Sequence, residues 1–62
     1  MRVKVRDKVY HFHFKLRAKE LLQKLNLQPQ SSIVIRNGDV ITEDEFIEED
    51  DEVEIINTIS GG

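Results

Sequence analysis

The 62-residue sequence contains no cysteine and no tryptophan, and only one proline and one tyrosine. Without cysteine, neither a disulfide nor a thiolate zinc site can brace the fold, and no internal thiol can act as nucleophile or sulfur ligand. That composition suits a reducing cytosol, so a cytoplasmic location is expected. No apolar run approaches the roughly 20 residues needed to cross a bilayer. Met1-Arg2-Val3-Lys4-Val5 alternates charged and apolar residues where a signal peptide would carry an apolar core. A soluble protein with no membrane partner is the expectation. A chain this short buries only about 60% of the surface it exposes when unfolded. That implies one economical core and little room for a catalytic cleft.

Positive charge is missing from the second half. Beyond Arg36 the chain has no Lys or Arg but ten acids, whereas residues 1–24 carry eight Lys/Arg against Asp7 and Glu20, for a formal net charge of −3. Two readings stand side by side. Either the halves neutralise each other across the surface of one small fold, or an acidic face near the C-terminus steers the chain toward a basic partner. Nucleic acid is disfavoured as a partner, because the basic residues are offset and lack an aromatic-basic recognition motif.

What is present is periodicity. Val3 and Val5 alternate with Arg2, Lys4 and Arg6. After a turn at Arg6-Asp7-Lys8, Val9-Tyr10-His11-Phe12-His13-Phe14 alternates again, predicting a β-hairpin with Tyr10, Phe12 and Phe14 on one face. Over residues 16–26 the period lengthens: Ala18, Leu21, Leu22 and Leu25 form the stripe of an amphipathic helix. That helix lacks a Ser, Thr, Asp or Asn cap at its start, and Asn26 and then Pro29 end it. Ser32-Ile33-Val34-Ile35-Arg36 is a third strand, Asn37-Gly38 a tight turn, and Asp39-Val40-Ile41 a return strand. Thr42-Glu43-Asp44-Glu45 fits a capping box opening one helical turn that places Phe46 and Ile47 inward. An acidic loop over residues 48–51 precedes a last strand, Glu52-Val53-Glu54-Ile55-Ile56. This order predicts an α+β fold of ubiquitin-like β-grasp type. Its mixed sheet of four to five strands packs on one helix, with the last strand beside the first. Residues 1–59 would form that domain and residues 60–62 a flexible C-terminal diglycine tail.

Packing gives no reason to end on Gly61-Gly62, because glycine loses the most entropy on ordering and buries no side chain. Taken alone, a diglycine end reads as a frayed terminus. Directly after the last strand of a β-grasp pattern, it reads as a reactive tail. Residues 60–62 can reach roughly 10 Å beyond that strand, and without Cβ atoms the final pair can thread a narrow channel to a nucleotide.

Arg36-Asn37-Gly38-Asp39-Val40-Ile41, Asp51-Glu52-Val53-Glu54-Ile55-Ile56 and Ile59-Ser60-Gly61-Gly62 resemble the ubiquitin-like sulfur carriers typified by ThiS and MoaD, over the whole chain. The resemblance implies a protein cosubstrate with no catalysis and no bound cofactor of its own. An activating enzyme using ATP would adenylate the Gly62 carboxylate, a sulfur donor protein would convert it to a thiocarboxylate, and an acceptor enzyme of thiamine-thiazole or molybdopterin biosynthesis would receive the sulfur. Two departures from the family pattern stand out: Glu49-Asp50-Asp51 replaces a usual glycine before the last strand, and the polar helix cap is missing. The alternatives are a ubiquitin-like modifier conjugated through Gly62 and a non-covalent β-grasp binding module.

Gly62 is thus the expected reacting group, with Gly61, Ser60, Ile59 and Ile56 as binding residues. Ile56 shares a strand face with Glu52 and Glu54, where an apolar side chain suggests a partner contact. Either Val34 or Ile35, which point to opposite faces, can extend it. His11 and His13 share a strand face but lack neighbouring acids or cysteines in sequence, so no metal site is expected. The acids of residues 43–54 lack the spacing and central glycine of a calcium loop. Thr58 and Ser60 have no histidine base placed by any motif.

Overall fold

The computed structural model describes residues 1–58. Strands β1 (Arg2–Val5) and β2 (Lys8–His11) form the expected hairpin, with Arg6 at the turn at φ 58°. β2 is shorter than its alternation suggested and stops at His11. Leu16–Arg17, predicted as helix, is instead a short strand β3. Helix α1 follows at Ala18–Lys24, then a 3-10 turn at Pro29–Ser31, β4 (Ser32–Arg36), β5 (Asp39–Ile41), β6 (Phe46–Ile47) and β7 (Glu52–Asn57). No helix among the described residues is long and apolar enough to cross a membrane.

β7 takes the centre of a five-stranded sheet ordered β2-β1-β7-β4-β5, parallel to β1 and antiparallel to β4. This is the α+β β-grasp arrangement, with one helix against a mixed sheet. The register sorts the strand residues into two faces. Val3 lies beside Val53, and Val34 beside both Ile55 and Ile41, and all five are buried. Leu21 and Leu22 of α1 close that face, joined by Leu16, Ala18 and Ile47. No residue with a charged side chain is among the buried ones of the described residues.

The helix starts without a polar cap, and the structure supplies the missing acceptors from elsewhere. The Glu20 carboxylate accepts the Arg17 N–H at 2.8 Å, and the carbonyls of Glu45 and Glu43 accept the N–H groups of Ala18 and Lys19 at 2.9 Å each. These are donors every helix start leaves open. The C-terminus follows its sequence signal. Asn26 sits at φ 62°, and the N–H groups of Asn26 and Leu27 reach back to the carbonyls of Gln23 and Leu22, a Schellman closure.

Residues 42–45 depart from expectation. Thr42 N–H does donate to Glu45 Oε2 at 3.0 Å, as a capping box requires. The chain nevertheless makes a turn, with Glu45 N–H on the Thr42 carbonyl, and then enters β6 rather than a helix. β6 pairs with β3, so its two side chains point opposite ways. Ile47 is buried, while Phe46, expected inward, lies outside under Lys15 Nζ and Arg17 Cζ, 4.6 and 4.7 Å from its ring centre. Cation–π contact gives that exposed ring a partner.

Candidate functional site

Residues 59–62 follow the end of β7 in sequence, and that end is fixed. Ser32 pairs with Asn57, and Thr58 donates to the Ser31 carbonyl through both its N–H at 2.8 Å and its Oγ1 at 2.9 Å. Ser31 belongs to the 3-10 turn that Pro29 opens. Proline's fixed φ is preorganised for that position. The chain is therefore held through Thr58. Ile59, Ser60, Gly61 and Gly62, four of the five residues singled out from the sequence, lie outside the described residues.

The fifth, Ile56, is described and exposed. Its register partner across β7–β4 is Ile33, and Ile35 pairs with Val40 across β4–β5. All four point away from the helix. Ile56 is 43% exposed, Ile33 40% and Val40 70%, with Ile35 half-buried. Of the two residues considered for extending the patch, Ile35 does so, and Val34 is in the core. Ile33 and Val40 were not singled out, although the alternation of Ser32–Arg36 around an inward Val34 was the available signal. Four aliphatic side chains on one open face beside the root of the tail make a surface suited to a partner.

The acidic run lies elsewhere. At about 3.3 Å per residue, the five steps of β7 separate Glu52 from Asn57 by about 16 Å. Residues 48–51 precede Glu52, so they cluster at the far end of the strand, although they are near the C-terminus in sequence. Val5 is level with Ile55, which sets the hairpin turn with Arg6 and Lys8 alongside the tail's root instead. Some of the opposite charge is paired between the basic and acidic stretches, Lys15 with Glu48 at 3.4 Å and Lys19 with Asp44 at 3.5 Å, and Arg36 pairs with Glu45 at 3.6 Å. The mutual-neutralisation reading therefore has direct support.

Asp51 locks the start of β7 in place of the glycine expected before that strand. Its Oδ2 accepts the Glu48 N–H at 2.8 Å, and its Oδ1 accepts Asn37 Nδ2 at 3.1 Å. The Glu48 amide and then the Asn37 amide hold the Asp51 carboxyl below the ordinary carboxylate value, against an opposing contribution from burial. Asn37, at φ 51° in the turn with Gly38 at φ 88°, completes the lock by accepting the Glu52 N–H at 2.9 Å on Oδ1.

His11 and His13 have no acidic neighbours along the chain, but the fold brings both beside Glu49, Asp50, Asp51 and Glu52 around one shallow hollow. No three donors among the described residues converge well enough to hold a metal ion.

Two comparisons with known proteins bear on this site. The chain matches the ThiS family over residues 3–62, a span that includes the whole tail. It is also similar to the sulfur carrier protein TtuB of Thermus thermophilus, with 32% identity over 44 residues, covering 71% of this chain and 68% of that protein.

Proposed function

The chain belongs to the ThiS family of sulfur carriers, and from that premise we propose that its Gly62 carboxylate is the group that carries sulfur. A carboxylate oxygen attacks the α-phosphorus of ATP on an activating enzyme, pyrophosphate leaves, and Gly62 becomes an acyl adenylate. AMP is a far better leaving group than hydroxide, so the terminal sulfur of a donor protein's persulfide displaces it, and a second protein thiol then cleaves the acyl disulfide, forming a protein disulfide and releasing the thiocarboxylate. An acceptor biosynthetic enzyme, of the thiamine-thiazole or molybdopterin type, then takes the sulfur. The chain is a cosubstrate in each step, and the catalytic groups belong to its partners.

The observation that carries this reading is the pairing of a fixed root with a side-chain-poor end. The chain is anchored as far as Thr58 by two bonds to one carbonyl, and the family match continues through Gly62. Because the chain is already held as far as residue 58, binding carries no ordering cost up to that point. The Ile33, Ile35, Val40 and Ile56 face is the proposed grip for the activating enzyme.

The test is ATP–pyrophosphate exchange by the host's activating enzyme. Full-length chain should stimulate exchange, and a variant lacking Gly61 and Gly62 should not. Equal stimulation by both would sink the reading. Isopeptide-linked adducts of higher mass in host extracts would point to a protein modifier instead.

A further inference from the structure

Asn37-Gly38 is a chemically labile pair as well as a turn. In an Asn-Gly sequence the glycine backbone nitrogen can reach the asparagine Cγ, because no side chain on the second residue stands in the way. Asn26 and Asn57 precede Leu27 and Thr58 and lack that access. Asn37 and Gly38 are both exposed, and a Cβ placed on Gly38 would meet nothing within 4 Å. Water and base therefore reach the pair.

The fold commits the carboxamide to the start of β7 instead. Asn37 Oδ1 accepts the Glu52 N–H at 2.9 Å, and Nδ2 donates to Asp51 Oδ1 at 3.1 Å. The Asn37 N–H also donates to the Glu52 carbonyl at 2.8 Å, so backbone and side chain grip the same residue. Asp51 is itself fixed by the Glu48 N–H at 2.8 Å. Both polar atoms on Cγ are thus engaged, and Cγ cannot swing to the Gly38 nitrogen until these bonds break. Asn37 and Glu52 are exposed, so the bonds, rather than exclusion of water, restrain the pair.

We propose that Asn37 is a deamidation site kept closed by its bonds to Asp51 and Glu52, and that it reacts when the start of β7 lets go. The Gly38 nitrogen, losing its proton to solvent, attacks Cγ. The new N–C bond forms as ammonia leaves, and a five-membered succinimide results. Water then adds to one of the two ring carbonyls and breaks its bond to nitrogen, giving aspartate or isoaspartate at position 37. Water is the only co-reactant, and nothing is oxidised or reduced. Neither product restores the lock. Aspartate sets a second carboxylate against Asp51 where a donor stood, and isoaspartate lengthens the backbone of a two-residue turn whose geometry joins β4 to β5. A chain that has once opened here is permanently marked, with its turn between Ile35 and Val40 no longer fastened to β7. The site is separate from the tail and independent of the chemistry proposed at Gly62.

The test is mass analysis of the full chain aged at neutral pH. Complete reaction adds the difference between OH and NH2 and releases one ammonia, and digestion places the change at residue 37. The folded wild type should react about tenfold or more slowly than the same chain unfolded in urea, as two hydrogen bonds would impose. Asp51→Ala removes one of those bonds and should react about threefold or more faster than wild type. Ile47→Val alters a buried side chain away from the turn and costs stability without touching the lock. It separates local opening from global unfolding, and its rate should stay near that of wild type. The deamidated chain should melt at a lower temperature than fresh chain. Equal rates for folded and unfolded chain, no acceleration by Asp51→Ala, equal acceleration by Ile47→Val, or reaction elsewhere than residue 37 would each overturn the proposal.

Discussion

Asn37 does two jobs with one residue. Its backbone occupies the left-handed region that the β4–β5 turn needs, and its amide ties that turn to Asp51 and Glu52 at the start of β7. Asn37→Ala should lower unfolding free energy by about 1–3 kcal/mol, from two lost hydrogen bonds and the strain of a Cβ without a local partner. Asn37→Gly should recover only the backbone share, and urea unfolding of both variants would separate the two. The turn dipeptide announced itself in the sequence, but the side-chain bridge did not, because it spans fourteen residues. Asp51 makes a pH-dependent counterpart. Its folded-state carboxyl titrates below the ordinary value of 3.8, so its stabilisation is complete above that value. It is lost as the pH falls through the lower folded value. The wild type should lose stability more steeply than Asp51→Asn in acid unfolding below about pH 4.

Elements whose signal is periodic were legible, and elements made by contact were not. The leucine stripe gave α1, the alternations gave β1 and β7, and the apolar run Ile33-Val34-Ile35 gave β4. A two-residue strand has no period, so β3 and β6 are visible only once they pair, and Phe46 was misplaced with them. The helix start was likewise completed by carbonyls from residues 43 and 45, which no local sequence rule contains. Glu20→Ala should therefore cost only about 0.5–1 kcal/mol in thermal unfolding, since the other donors keep their partners. On the outer face, Ile56 was legible from its strand, whereas its joining to Ile33 depended on the β4–β7 register. Ile56→Asp should leave the melting temperature near wild type. It should weaken binding to the activating enzyme by about tenfold or more in calorimetric titration, as expected for a central apolar contact.

For the whole molecule, sequence proximity misled where charge was concerned and guided well where fold was concerned. Residues 48–51 are close to the tail along the chain, yet β7 carries them to the opposite end of the sheet. The β-grasp order followed from the patterns alone, because a single helix must cover the apolar face of all the strands. A domain of this size has little surplus stability, and in the role proposed for Gly62 the fold serves as the handle for that residue. The most direct measurement is the intact mass of the chain after incubation with its host's activating enzyme, ATP and a sulfur donor. The expected result is a gain equal to the difference between sulfur and oxygen, located on Gly62 and absent from the variant lacking Gly61 and Gly62. An unchanged mass under conditions where the same enzyme loads its sulfur carrier would contradict the assignment of Gly62 as the sulfur-bearing group.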